Sequence, residues 1–270
     1  MPMDLSYIIN ELGEERDKYF NAVAPPIIQT SNFASSTVAE MRYKLQHEAS
    51  EHLYTRGNNP TVTILEKKIA ALEGTADAIA FGSGIAAVSA AVLSQVKAGD
   101  HVVCTNYTYS WTKTLMQKFL PRFGVEVTTV DGTDAENYRR AMKQNTRLLY
   151  MESPTSFTFE LQDIAAVVAI AKAHNCRTII DNSFASPLFQ SPIRMGADLV
   201  VHSCTKYIGG HSDVMGGIVC GSEEDIRKIF AQEYMTLGAV LSPHDAWLLI
   251  RGLRTMPVRM ERVAASARAV

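Results

Sequence analysis

The chain has 270 residues, 47% hydrophobic and 20% charged, with 26 Lys and Arg against 28 Asp and Glu for a net charge of −2. This is an ordinary globular composition with room for a substantial core and one or two domains. The balanced charge, without a dense Lys/Arg block, excludes an electrostatic case for nucleic acid or a membrane surface, and no apolar run reaches the ~20 residues of a spanning helix.

The N-terminus, Met1-Pro2-Met3-Asp4-Leu5, lacks a basic stretch followed by an apolar one, and Glu11, Glu14 and Glu15 come soon after. No secretory signal is expected. Residues 1–50 read as a polar, loop-like N-terminal arm, extended at Pro25-Pro26, that packs against something else. From about residue 60 the pattern alternates between helix and strand. Leu65, Ile69 and Leu72 give helical spacing across Thr61 to Glu73, with Gly74 as the stop. Ala78 to Phe81 reads as a strand and Ile85 to Val96 as a buried helix. His101 to Cys104 is the next strand, followed by a helix through Leu115 and Phe119. Further strands fall at Val125 to Val130, Leu148 to Met151, Thr178 to Ile180, Leu199 to Val201 and Gly216 to Cys220. Ile164 to His174 is the clearest helix between them, and a charged helix starts at Glu223. From Arg259 an amphipathic pattern runs to Val270 without a capping Gly, so 253–270 is expected to begin a further domain. Short apolar strands separated by helices predict an α/β fold, a mostly parallel sheet flanked by helices.

In such sheets chemistry gathers at the carboxyl ends of strands. Three candidate groups fall there: Gly82-Ser83-Gly84, Asp181, and the run Ser203-Cys204-Thr205-Lys206-Tyr207. An amine flanked by hydroxyls, with a carboxylate on a neighbouring strand, suits pyridoxal phosphate (PLP): a Schiff base on the Lys, hydroxyls on phosphate, and the acid on the pyridine nitrogen. Phe81-Gly82-Ser83-Gly84-Ile85-Ala86-Ala87 joins a strand to a helix, where free N–H groups and the helix dipole favour an anion. The same string fits G-x-G-x-x-A, but the strand that should end in a ribose-binding acid ends in Cys104-Thr105-Asn106, which weakens a dinucleotide reading. A purely structural turn remains open on this motif. Tyr54-Thr55-Arg56-Gly57 puts a phenol and a guanidinium in one loop, either a phosphate site or ordinary surface. Tyr107 and Tyr109 follow a strand end, where an aromatic face either stacks on a flat heterocycle or simply packs. Cys104, Cys176, Cys204 and Cys220 lack CxxC spacing and read as buried, reduced thiols of a cytoplasmic protein. His202 and Cys204, with His211 nearby, lack further ligands, and no metal site is expected.

Taken in order, these motifs resemble the Cys/Met-metabolism (trans-sulfuration) family of fold-type I PLP enzymes, which includes cystathionine and methionine lyases and acylhomoserine-dependent synthases. The likeness runs from Ala24-Pro25-Pro26-Ile27 almost to the last residue, through Tyr54-Thr55-Arg56, Asn59-Pro60-Thr61, Ser83 to Ala87, Glu152-Ser153-Pro154, Asp181-Asn182-Ser183, Ser203 to Tyr207 and Arg251-Gly252-Leu253-Arg254. It implies an aspartate aminotransferase-like large domain over 51–252 and PLP as cofactor. It implies Lys206 as the covalent anchor and proton shuttle and Asp181 on the ring nitrogen. Ser203 and Thr205, with the Gly84 and Ile85 N–H groups after Ser83, would hold the phosphate. Tyr109 would stack on the ring and assist proton transfer, and Tyr54 and Arg56 would reach the phosphate of a neighbouring subunit. That makes the protein a homo-oligomer, a dimer or tetramer with shared sites, acting on a sulfur-containing amino acid.

Three departures stand out. Ser156-Phe157 occupy the place of an Asn-Pro pair whose Asn touches the ring hydroxyl in the family, and Ser110-Trp111 follow Tyr109 where small residues are usual. The resemblance also implies a C-terminal domain of roughly a hundred residues, bearing the Arg for the substrate carboxylate, beyond Val270. The expected activity is therefore β- or γ-elimination from a sulfur amino acid. The alternatives are γ-replacement on an activated homoserine, a truncated non-catalytic PLP-binding fold, and a nicotinamide-dependent oxidoreductase.

Overall fold

The computed structural model describes residues 3–270. Seven strands form one sheet: β1 (Asp77–Phe81), β2 (His101–Thr105), β3 (Glu126–Val130), β4 (Thr146–Glu152), β5 (Arg177–Asp181), β6 (Leu199–Ser203) and β7 (Gly217–Gly221). Their spatial order is β1-β7-β6-β5-β4-β2-β3. Only β7 runs antiparallel to its neighbours, and the remaining pairs are parallel. Each strand lies within two residues of its sequence expectation, the normal scatter of element ends.

Eleven α-helical segments accompany the sheet among the described residues: α1 (Leu5–Asn10), α2 (Val38–Gln46), α3 (Pro60–Glu73), α4 (Gly84–Leu93), α5 (Ser110–Thr114), α6 (Ala135–Ala141), α7 (Ile164–Ala173), α8 (Ser186–Phe189), α9 (Glu223–Ile229), α10 (Met235–Leu237) and α11 (Pro243–Ala269). Local chemistry explains their ends. Asn59 caps α3 by accepting from Thr61 N–H, Pro60 fits the first turn, and Gly74 closes the helix at φ +77°. Ser83, Asp163, Ser222 and Ser242 cap α4, α7, α9 and α11 with their side chains.

Alternating strand residues feed two apolar layers. Val200, Ile180 and Met151 join Leu65 of α3, Val167 of α7 and Leu249 of α11 on one face. Val201, Ile179 and Tyr150 join Ala91 of α4 and Ile229 of α9 on the other. By the same alternation Glu152, Asp181 and Ser203, the last residues of β4, β5 and β6, turn towards the α4 face.

Two expectations need correction. The N-terminal arm contains two helices and docks, in part, on its own chain: Ile8 and Ile9 of α1 are buried, Trp247 Nε1 donates to Pro25 O at 2.8 Å, and buried Glu14 pairs with Lys68 and Arg254. The last helix starts at Pro243 rather than Arg259, and Pro257 sits inside it. The expected division at 252/253 thus falls within one continuous helix.

Candidate active site

The carboxyl ends of the parallel strands open into a cavity of ≈ 1500 Å³. It is bordered by Ser83, Gly84, Ile85, Tyr109, Asp181, Ser203, Thr205 and Lys206, residues the sequence singles out from four separate segments. Tyr54 and Arg56 lie outside it, in a second groove of ≈ 620 Å³ with Phe33, Met41 and Leu45.

The anion cradle is built by close approach. Ser83 Oγ accepts from Ala86 N–H at 3.2 Å, and the N–H groups of Gly84 and Ile85 are left without a partner among the described residues. A Cβ on Gly84 would lie 2.7 Å from Ser203 Oγ, and one on Gly217 only 2.3 Å from Ser83 O. Both glycines therefore let the start of α4 press against the ends of β6 and β7. Ser203 N–H donates to Ser183 Oγ at 2.7 Å, and the Ser203 hydroxyl lies beside the helix start at Gly84. Thr205 is engaged differently: its hydroxyl bonds Gly216, donating to O at 3.3 Å and accepting from N–H at 3.1 Å.

Lys206 follows β6 on a turn secured by Gly210 N–H to Lys206 O at 2.8 Å. Its side chain is exposed to the cavity and forms no ion pair among the described residues. Asp181 is almost wholly buried, with Oδ1 accepting from Ser183 N–H at 3.0 Å and Ser183 Oγ at 2.6 Å. Burial pushes the Asp181 carboxyl above its ordinary pKa, against the Ser183 bonds and the field of His202. A buried carboxyl bordering a cavity, with no cation paired to it, is suited to a cationic ring nitrogen.

Two further features were not assigned roles by sequence reasoning. Glu152 is Asp181's register partner across β4 and β5, and it also borders the cavity. On the opposite face His202 Nε2 meets Glu73 Oε1 at 2.5 Å, and Asn182 Nδ2 donates to the same oxygen at 2.9 Å. The flanking positions 181 and 203 were the only available signal for this buried network. His202 is thus bonded within the fold, and His211 Nδ1 lies 2.7 Å from Gly209 O.

The profile described as Cys/Met metabolism PLP-dependent enzyme matches residues 7–270. The chain belongs to this family. Within it, the L-methionine gamma-lyase of Treponema denticola is 42% identical over 261 residues, covering 96% of this chain and 65% of the relative. The cystathionine beta-lyase of Lactococcus lactis is 39% identical over 258 residues, covering 96% and 66%. Among solved structures, the O-acetylhomoserine (thiol)-lyase-like protein of Campylobacter jejuni superposes with a TM-score of 0.90 at 26% identity, covering 95% of this chain and 72% of the other. That structure carries a pyridoxyl-lysine phosphate. The chain spans about two thirds of the length of the curated relatives it matches: 65% of the first and 66% of the second.

Cys/Met-metabolism family membership makes PLP the cofactor in question and sets aside the nicotinamide reading. The residues present fit the group. An amine, an uncompensated carboxyl, an aromatic face and a glycine-lined helix start border one cavity, and each matches one part of a phosphorylated pyridine aldehyde. The mostly parallel α/β sheet agrees with the expected fold. Among the described residues no helix is long and apolar enough to cross a membrane.

Proposed function

We propose that the protein works as a PLP-dependent carbon–sulfur lyase on a sulfur-containing amino acid of the cystathionine or methionine type, by β- or γ-elimination. The observation that carries this reading is the convergence of Lys206 and Asp181 on the cavity that also receives the start of α4. PLP, when bound, supplies a ring that withdraws electrons from the substrate's Cα. The Lys206 amine would hold the cofactor, and once displaced by the substrate amine its Nζ would carry the α-proton. The Asp181 carboxylate would keep a positive charge on the ring nitrogen, an interaction strengthened where water is excluded. Tyr109 would lie against the ring, while Ser203 Oγ and the Gly84 and Ile85 N–H groups would take the phosphate. Thr205, with its hydroxyl bonded to Gly216, would act chiefly by holding the Lys206 turn against β7. Elimination would release a thiol, and hydrolysis of the resulting enamine by one water would give ammonia and a 2-oxo acid.

Tyr54 and Arg56 support a homo-oligomer, because within one chain they line a groove separate from the cavity. Arg56 lies over the Tyr54 ring, 5.2 Å from its centroid, so the two present a donor pair as a unit. Four buried free cysteines agree with a cytoplasmic setting.

A γ-replacement reaction is the second reading, favoured by a relative from Herpetosiphon aurantiacus named probable cystathionine gamma-synthase at 40% identity. Purified protein assayed with cystathionine alone, and with acylhomoserine plus Cys, separates the two. Thiol and 2-oxo acid release in the first assay is expected, and product only in the second would overturn the lyase reading.

A further inference from the structure

Glu152 ends β4 with 3% of its surface exposed, facing the same cavity as its register partner Asp181. Its two oxygens accept from two different loops. Tyr109 N–H, after β2, donates to Oε2 at 2.9 Å, and Ser156 N–H, after β4, donates to Oε1 at 2.7 Å. Both donors belong to residues that border the cavity. Among the described residues no cation pairs with Glu152, and its two oxygens are met by backbone N–H groups. Burial, with Asp181 beside it, raises its pKa to about 7 in spite of the two N–H bonds. The Ser156 loop closes on itself through Thr155 N–H to Glu160 O at 3.0 Å and Phe159 N–H to Thr155 O at 3.1 Å, and Glu152 is the group that ties it to the Tyr109 segment. Phe157 and Phe159 both take left-handed backbone, at φ +66° and +55°, and Phe157 is 87% exposed.

We propose that Glu152 is a positioning residue which, by tethering the backbone N–H groups of Tyr109 and Ser156 to one buried carboxyl, sets where the Tyr109 ring stands against the cofactor. The inference rests on the PLP reading above. The carboxyl holds the chain at 109 and not the phenol, so the ring is placed from behind and its face stays free. The same atom pair joins the wall after β2 to the wall after β4, across the strand end that lies beside Asp181. A Gln at 152 keeps the length but turns one acceptor into a donor, so one tether is lost; Ala removes both.

The test is a double-mutant cycle on PLP affinity in the full chain, with amide hydrogen exchange on the cofactor-free chain. Glu152→Gln is expected to weaken PLP binding about 10- to 100-fold, the range for a hydrogen bond to a charged group. In a Tyr109→Ala background the same change should alter affinity less than about 2-fold, because residues acting through one contact are not additive. Losses that multiply would overturn the proposal. In the wild-type chain the Tyr109 and Ser156 amides should exchange at least ~10-fold more slowly than in Glu152→Gln. Fast exchange of both in the wild type would overturn it even if the variants fail to fold. Absence of PLP binding by a wild-type chain with protected amides would instead remove the cofactor reading and, with it, the role assigned to the tether.

Discussion

Glu152 and Asp181 end neighbouring parallel strands in register, both nearly buried, with no cation paired to either among the described residues. Asp181 spends one oxygen on Ser183 and leaves the other for whatever occupies the cavity. Asp181→Asn preserves the size and the contact with Ser183 but removes the charge that stabilises a protonated ring. Turnover is expected to fall about 10²- to 10³-fold, with a smaller loss of PLP affinity, as for removal of one preorganised electrostatic contact. Steady-state kinetics beside a PLP titration checks this, and unchanged turnover would count against the assigned role.

The start of α4 tests the anion cradle. At Gly84 a Cβ would meet Ser203 Oγ at 2.7 Å and Ser203 Cα at 3.0 Å, so the backbone of β6 must shift. Gly84→Ala should lower stability by about 1–3 kcal/mol, the usual result of overpacking. It should also weaken PLP and inorganic phosphate binding together. Denaturant unfolding and a phosphate competition assay measure both effects, and a variant with wild-type affinity for each would show that the close approach is dispensable.

The separate groove of Tyr54 and Arg56 predicts complementation. Homogeneous Lys206→Ala and Arg56→Ala oligomers should each be severely impaired. Hybrids formed by co-expression should regain about a quarter of wild-type activity, because random pairing makes half the dimers mixed and each mixed dimer has one intact site. No recovery in hybrids verified by mass would place Arg56 outside the shared site.

Glu66 gives a pH prediction independent of the cofactor. It accepts from Ala80 N–H at 2.9 Å, and burial raises its carboxyl from 4.5 to about 7. A carboxyl raised in the folded state contributes stability that is complete below its unfolded pKa and lost as pH climbs through the folded value. The loss is on the order of 3 kcal/mol between those limits. Urea unfolding at about pH 5 and about pH 8.5 should show a steeper decline for wild type than for Glu66→Gln, which keeps the acceptor oxygen without the charge. Parallel declines would contradict the assignment.

Glu14 anchors the N-terminal segment. It is 1% exposed and contacts Lys68 at 3.2 Å and both Arg16 and Arg254 at 3.0 Å, while Lys68 is fully buried and also donates to Ile8 O. Glu14→Gln strands the buried ammonium, and a loss of about 3 kcal/mol in unfolding free energy is expected. A change below about 0.5 kcal/mol, the scale of surface sites, would mean the cluster is solvated.

How far the fold was legible follows from where the signals sit. Strands rich in Val and Ile with capped helices between them, such as α3 between Asn59 and Gly74, state their own type and ends. So do Lys206, Asp181 and the Ser83–Ile85 turn, since each sits at a strand end where a parallel sheet collects its chemistry. The N-terminal helices were not legible: α1 is six residues long and α2 buries no residue, so neither carries a clear apolar stripe. The beginning of α11 was obscured by Pro257, which a sequence reading takes as a break although the helix continues through it. Glu152 could be seen as part of a motif, but its tethers go to backbone N–H groups, which leave no trace in side-chain identity. The Glu73–His202 pair joins residues 129 apart in sequence and depends on tertiary packing alone.

The central claim is that the amine at position 206 is the one that meets the cofactor's aldehyde. Borohydride reduction of the PLP-loaded chain, followed by peptide mass mapping, tests it most directly. A stable pyridoxyl-phosphate adduct confined to the peptide containing Lys206, and absent from Lys206→Ala, is the expected result. A chain that binds PLP but carries the reduced adduct on another lysine, or on none, would contradict the account.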